Sequence, residues 1–293
     1  MIIAVVLTYD APEGMLRDAV SSVIAGAGVQ RVIVVDNGAR AQQSLAGLHD
    51  GAVPLQLVVT GRNLGFAGGM NVGIDLALQA GADAVVVLND DVVVQPGWIE
   101  ILAAELQRDA TIGGVQPKLL FADREPPTVN SVGVRIGPDG AGTDIGYGEP
   151  DDGRFDEPTD VEACTGGALL LRSAMLREVG SFDERLFMYY EDVDLCRRAA
   201  VAGWRFRCVP AARVWHRGGA TSGSVPTRMA YYRERNRIWL LFRWARWPVV
   251  SRGLWLSVRR VRHAPRRVHA RALLAGLGGA PRQLAARWTR PRG

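Results

Sequence analysis

The chain has 293 residues, 48% hydrophobic and 22% charged, enough for a full globular core and too mixed for a fibrous or disordered protein. Its net charge of +5 is unevenly placed: residues 228–293 hold 17 arginines and one acid, Glu234, a balance of +16 that leaves −11 for residues 1–227. Three cysteines (Cys164, Cys196 and Cys208) without C-x-x-C spacing argue against a disulfide framework or thiolate zinc site and fit a reducing compartment.

The opening MIIAVVLTYD has no basic residue ahead of its apolar run and reads as a first strand, not a secretory signal. IIAVVLTY, VIVVDN, LQLVVTG and AVVVLNDDVVV are β-branched runs of buried-strand type, and MLRDAVSSVIAG and GMNVGIDLALQAG between them suit helices. This βαβα order predicts an α/β fold with a mostly parallel, Rossmann-like sheet flanked by helices. Ligands of such sheets bind at the carboxyl ends of the strands. There the sequence places Thr8, Tyr9 and Asp10, then Asp36 and Asn37, then Arg62 and Asn63, then Asn89, Asp90 and Asp91. Residues 122–160, rich in Gly, Pro and Asp, read as an acidic hairpin or mobile flap without assignable chemistry. No internal repeat is present.

Three stretches carry chemical signals. In LNDDVVV, adjacent acids at a strand end repel one another unless a cation is near, and two carboxylates plus substrate phosphates are the usual magnesium arrangement. GRNLGFAGGMNVG is glycine-dense at a helix entrance, where backbone can approach a phosphate, but matches neither G-x-G-x-x-G nor the P-loop. FMYYEDVDLC sets Glu191, Asp192 and Asp194 at the start of a helix expected over about 191–202. Its 100° steps put Glu191, Asp194, Arg197 and Arg198 on one arc, expected at the surface with Asp194 and Arg198 paired. Asp192 falls instead among Val193, Leu195, Cys196, Ala199 and Ala200, on the inward arc, either capping its own helix or serving a site. His216, one of four histidines, is a metal ligand only if it reaches the Asp91 cation.

Together, VVLTYDAP, VVDNGA, NLGFAGGMNVG, LNDDVVVQPGW, TGGALLLRSAMLREVGSFDE, MYYEDVDLCRRA and VWHRGGATSG resemble family 2 glycosyltransferases, most closely the rhamnosyltransferase-like branch, over about residues 1–240. The resemblance implies a GT-A-type catalytic domain over 1–227, with a nucleotide-sugar half at 1–120 and an acceptor half at 121–227. Asp36 and the Thr8–Tyr9 turn would hold the base. Arg62, Asn63 and Gly65 would line nucleoside and sugar. Asn89-Asp90-Asp91 stands for the family's D-x-D motif, with Asn89 replacing its first aspartate. Asp91 and His216 would hold Mg²⁺ or Mn²⁺, and Gly166, Gly167 and Glu191 would border the substrates. Asp192 would be the general base of an inverting transfer. The donor would be a nucleotide-sugar such as dTDP-rhamnose, and the acceptor an oligosaccharide or lipid-linked saccharide of cell-envelope polysaccharide assembly.

The tail YYRERNRIWLLFRWARWPVVSRGLWLSVRRVRHAPRR interleaves arginine with tryptophan and lacks an uninterrupted apolar span. Residues 228–293 are therefore expected to be helical, amphipathic and seated on an anionic membrane surface, placing the protein in the cytoplasm against the inner face of the membrane. Nucleic acid is the weaker rival, and packing of residues 228–245 on the catalytic domain is the plain alternative. Sugar-1-phosphate nucleotidyltransferases would carry a glycine-rich, lysine-containing loop after the first strand, which TYDAPEGML lacks. A non-catalytic, membrane-docked sugar-nucleotide binder is the remaining reading.

Overall fold

A computed structural model of the chain describes residues 1–12, 14–26, 28–38, 40–48, 53–217, 226–263 and 265–288. The first half runs β1 (Ile2–Thr8), α1 (Met15–Ala25), β2 (Arg31–Asp36), α2 (Ala41–Ser44), β3 (Leu55–Val59), α3 (Gly65–Gln79), β4 (Ala84–Asn89), β5 (Val92–Val94), α4 (Trp98–Arg108) and β6 (Ile112–Phe121). The second runs β7 (Val129–Ser131), β8 (Val134–Ile136), β9 (Gly142–Asp144), β10 (Thr159–Val161), β11 (Ala168–Arg172), α5 (Ser173–Val179), a 3-10 turn (Glu184–Leu186), α6 (Glu191–Val201), β12 (Arg205–His216), α7 (Pro226–Trp244), α8 (Trp247–Arg260) and α9 (Arg266–Trp288).

The main path of the sheet is β10-β12-β6-β11-β4-β1-β2-β3. β3, β2, β1 and β4 are mutually parallel, as the alternation of strands and helices predicts. β11 is then inserted antiparallel between β4 and β6, so the sheet is mixed at its centre. Alternation along β1 builds two core layers: Ile3, Val5 and Leu7 face α3, α5 and α6, while Ala4 and Val6 face α1 and α4. The register Thr8↔Asp36 and Leu7↔Asn89 brings the carboxyl ends of β1, β2 and β4 to one edge.

Residues 122–160 do not hang free. β7 pairs with β6 and β10 with β12, and the chain's single lysine, Lys118, is fully buried beneath the segment in ion pairs with Asp151 (2.6 Å) and Asp156. A desolvated ammonium demands such partners, so the expected flap is bound to the sheet.

The tail is helical and folds back as α7, α8 and α9 around Ile238, Leu241, Phe242 and Val250. The boundary expected at residue 228 falls inside the first turn of α7, and α7 docks on the preceding domain. Asn236 Nδ2 donates to the carbonyls of Leu186, Met188 and Tyr189 at 2.9, 2.9 and 2.7 Å. Arg243 is buried between Asp194 (2.7 Å) and Asp183 (2.8 Å). Several tail arginines are therefore engaged inside the protein, and the +16 overstates the charge offered outward. No helix among the described residues is long and apolar enough to cross a membrane.

Candidate active site

The first-half strand ends meet as expected, but their polar side chains are largely engaged with one another. Thr8 is buried and its hydroxyl bonds the Asp90 carboxylate, which also lies 3.4 Å from the backbone N–H of Tyr9. Asp36 is buried and accepts from the N–H groups of Gly38 (2.8 Å) and Ala41 (3.0 Å), shaping the turn into α2. Asn37 accepts from Leu64 N and donates to Gly65 O (2.7 Å), tying β2 to the entrance of α3. The side chains facing solvent here are Tyr9, 42% exposed, Asp10, and Arg62, exposed and without an ion pair among the described residues. Asn63 is half-buried and accepts from Gly65 N (2.8 Å).

The glycines of this entrance serve packing. Gly65 has φ +76°, and a Cβ there would meet the Phe187 carbonyl at 2.3 Å. A Cβ on Gly73 would strike Val5 at 2.2 Å, and one on Gly69 would strike Leu7 at 2.5 Å. They let α3 lie against β1 and let the 187–190 loop lie on α3. On the side a Gly65 Cβ would take, the space is filled by Phe187, whose carbonyl also accepts from Ala67 N.

At the next strand end the two acids part. Burial pushes the Asp90 carboxyl up to about 6 even against its bond from Thr8. Asp91 turns to His216, because β5 runs antiparallel to β12 with Val92 opposite His216. Asp91 is buried, its Oδ1 accepts no hydrogen bond among the described residues, and it stands 3.2 Å from His216 Nε2. His216 Nδ1 engages Asn130 Oδ1 at 3.0 Å. With Nδ1–H donating there, the Nε2 of a neutral ring turns a lone pair toward an orphaned carboxylate oxygen. Adjacent ligands of an octahedral ion at about 2.1 Å lie about 3 Å apart, so the pair fits one divalent cation. No cluster of three or more His, Cys, Asp or Glu side chains surrounds it among the described residues, so a cation held here would have two protein ligands and positions left for phosphate oxygens or water. The rest of the VWHRGGATSG motif, from residue 218 onward, lies outside the described residues.

Asp192 sits where β11 begins. Its Oδ2 accepts from Gly166 N (3.0 Å) and its Oδ1 from Val193 N (2.7 Å), so it bridges the first turn of α6 to the Gly166 backbone without being the N-cap, a place taken by Tyr190. Burial, opposed by these two bonds, pushes its carboxyl up to about 6. Gly166 and Gly167 form the floor: a Cβ on Gly166 would approach Phe66 (3.0 Å) and Asp192, and one on Gly167 would approach Asn89 and His216 (3.9 Å each). Asn89 N also donates to Gly167 O (3.1 Å). One dipeptide thus brings together Asp192, Asn89 and His216.

The outer arc expected for Glu191 and Asp194 is corrected by the tail. Asp194 is fully buried, bonded by Arg198 (2.9 Å, the expected i,i+4 pair), Arg243 and Trp244, because α7 covers that face of α6. Glu191 is 5% exposed with Oε2 unpartnered, and burial beside Asp192 drives its carboxyl well above its ordinary range. The loop before α6 is strained, with Phe187, Tyr189 and Tyr190 all at positive φ.

Comparison with known proteins places this geometry. The model of Glycosyltransferase like family 2 matches residues 2–240. The chain belongs to glycosyltransferase family 2. The N-acetylglucosaminyl-diphospho-decaprenol L-rhamnosyltransferase of Mycobacterium tuberculosis is 30% identical over 265 residues, 83% of this chain and 85% of that protein. The hexosyltransferase Agl10 of low-salt glycan biosynthesis in Haloferax volcanii is 27% identical over 59% of this chain and 54% of its own. Among solved structures, GalNAc-T7 with UDP, GalNAc and Mn²⁺ superposes with TM-score 0.66 at 16% identity, covering 99% of this chain and 58% of that one. The mannosyltransferase PcManGT of Pyrobaculum calidifontis, with GDP-Man and Mn²⁺, gives 0.55 at 14% identity, covering 96% and 86%. The fold of the transferase is thus the GT-A type.

The transferase also places residues at the site that sequence reasoning missed, all from stretches set aside. Asn130 on β7 orients His216. Asp144 on β9 is half-buried and pushed up by burial, and its charge helps raise Asp192. Arg233 on α7 is exposed, lies 5.9 Å from the Tyr189 ring and acts on the Asp144 carboxyl. The alternation in Val129-Asn130-Ser131 was the one available signal. Asp144 and Arg233 had none, because hairpin and tail must fold back before either approaches Asp192.

Proposed function

We propose that the protein is an inverting, divalent-cation-dependent transferase that moves rhamnose, or a similar deoxyhexose, from a nucleoside diphosphate such as dTDP onto a lipid-linked saccharide of the cell envelope. The observation that carries this reading is the Gly166–Gly167 floor, with Asp192 on one side and the Asp91–His216 pair on the other. An acceptor hydroxyl over Gly166 gives its proton to Asp192 as its oxygen attacks the anomeric carbon from the face opposite the leaving diphosphate. Burial that lifts Asp192 to about 6 makes it a stronger base than an ordinary aspartate yet leaves it ionised at neutral pH. Asp91 and His216 would hold a divalent cation, which would supply positive charge to the departing diphosphate. Asn130 holds the His216 ring, and Tyr9 and Arg62 line the open donor edge.

The rhamnosyl and polyprenyl parts of the reading rest on the mycobacterial relative's name. The membrane part rests on α8 and α9, which expose Trp247, Trp255, Val258, Leu274 and Leu277 among arginines. These features favour a peripheral enzyme on the inner face of the membrane over a nucleic-acid binder. The test is a thermal-shift and turnover screen of dTDP-, UDP- and GDP-sugars with and without Mg²⁺ or Mn²⁺. A metal-dependent shift with one nucleotide and transfer with inverted anomeric configuration are expected. Well-folded protein that shifts with none of them would defeat the donor site, and binding without any transfer would leave only a sugar-nucleotide binder.

A further inference from the structure

Beside the catalytic floor lies an apolar groove of about 440 Å³ that the proposed reaction leaves unassigned. Ile136, Val193, Leu240, Leu241, Trp244 and Val249 line it, with Arg197, paired to Glu162, at its α6 wall, between the β8–β9 hairpin, α6 and the α7–α8 corner. One end abuts the site: Val193 lines the groove and its N–H holds Asp192 Oδ1. The other reaches Val249, in the first turn of α8, two residues from the exposed Trp247.

The α7 face along this groove changes character in one direction. Arg233, Arg237, Leu240, Leu241 and Trp244 fall on a single helical stripe. Arg233, at the end nearest the site, has no ion pair among the described residues. Arg237 is buried and held by Glu234 (2.8 Å) and the Asp139 carbonyl (2.6 Å). The apolar residues begin seven positions after Arg233, about 10 Å along the axis. Arg233 stands outside the groove, one turn beyond the buried Arg237, on the same stripe as the apolar residues; a cation placed so relative to an apolar trough is the complement of an anionic headgroup attached to a hydrocarbon chain.

We infer that this groove seats the prenyl chain of a lipid-diphosphate acceptor, its diphosphate facing Arg233 and its first isoprene units lying along Val193, Leu240, Leu241 and Val249 toward the bilayer. The inference rests on the proposed lipid-linked acceptor and adds how that acceptor is held. The chain leaves the groove at the α7–α8 corner, where Trp247 and the flanking arginines meet the interface. The acceptor is thereby drawn lengthwise from membrane to Asp192.

The test compares N-acetylglucosaminyl-diphospho-prenols of geranyl and decaprenyl length, in one detergent at fixed concentration, with dTDP-rhamnose as donor. The wild type is expected to show a lower KM for the long chain by about tenfold or more. Val249→Glu, at a half-buried position far from the base, should erase that preference and keep the metal-dependent thermal shift with dTDP-rhamnose, which certifies its fold. Arg233→Gln should raise KM for both lipids alike while leaving donor affinity unchanged. A diazirine on the decaprenyl chain should label the peptides holding Ile136 and Val249, a readout independent of turnover. Equal KM for the two chains, a preference surviving in Val249→Glu, or label confined to other peptides would overturn the groove and leave the transferase reading standing. Loss of donor affinity in Arg233→Gln would overturn the headgroup assignment. A wild type that transfers to neither lipid would fail the lipid-acceptor reading itself, and the groove with it.

Discussion

The parallel block β3-β2-β1-β4 and the segment from β7 to α7 treat their polar side chains in opposite ways. In the block, Thr8, Asp36, Asn37 and Asp90 stand at the ligand edge but are engaged by the protein, each fixing a turn or neighbour. In the second region Glu191 Oε2 has no partner among the described residues, and Asp192 is held by two backbone N–H groups; Asp91, just past β4 of the block, shares this state, its Oδ1 turned to His216 of β12 without a hydrogen bond. The lesson is that position at the edge marks where a ligand goes, whereas incomplete satisfaction singles out the carboxylates to which the proposed chemistry is assigned, Asp91 and Asp192.

Asp192→Asn would test this contrast hardest. It should lower kcat by about 10³-fold with donor affinity nearly intact, as expected for removal of a general base. Wild-type kcat/KM should climb with pH through about 6 and then level, because the base must be ionised; a flat profile from pH 5 to 8 would break the assignment. Stability should move the other way. A folded-state pKa raised from 3.8 to about 6 means the folded protein binds that proton more tightly than the unfolded chain. The associated stability is fully present below about pH 4 and is lost as pH rises through 6. Asp192→Asn should therefore melt higher than wild type at pH 7.5 and show no such gain at pH 4.

The next largest effect belongs to an acid on the same helix that the fold does engage. Arg243→Ala strips Asp194 and Asp183 of a buried partner and should cost about 3 kcal/mol or more in denaturant unfolding. A loss below about 1 kcal/mol would mean that α7 is held by its apolar contacts alone. Asp91→Ala comes third: donor-nucleotide affinity in Mg²⁺ or Mn²⁺ should fall about tenfold, with no change in chelator, by titration calorimetry. Equal affinity in both conditions would place the cation elsewhere. Last, and of much the same size, is Asp36→Ala, expected to cost about 1 kcal/mol of stability through the freed Gly38 and Ala41 N–H groups. Unchanged stability there would erase the distinction between the two regions.

The parallel block was legible because each strand is a short apolar run whose pairing follows from alternation with helices. The strands of residues 122–160 were not: β7 to β10 are three residues each and are stabilised by what lies around them, β7 by β6, β10 by β12, β8 and β9 by each other, with Lys118 beneath the segment. Asp192 was readable because its inward direction follows from helix period alone. Glu191 and Asp194 were misread by the same period, since it cannot show that α7 arrives to bury the opposite face. The metal pair required both a residue type and an antiparallel contact between β5 and β12, and only the resemblance supplied the second.

The docking of α7 also limits where this enzyme can be cut and rejoined. A hybrid that exchanges everything after residue 227 would strip Asn236 from the carbonyls of the strained 187–190 loop and Arg243 from Asp194, so the recipient would misplace its own Asp192. A seam after Trp244 is no better, because α9 packs on α7: Trp239 donates to Ala275 O (3.2 Å) and Arg243 to Gln283 (2.7 Å). A lineage that changed its membrane attachment by recombination would be expected to keep α7, α8 and α9 together with the catalytic half.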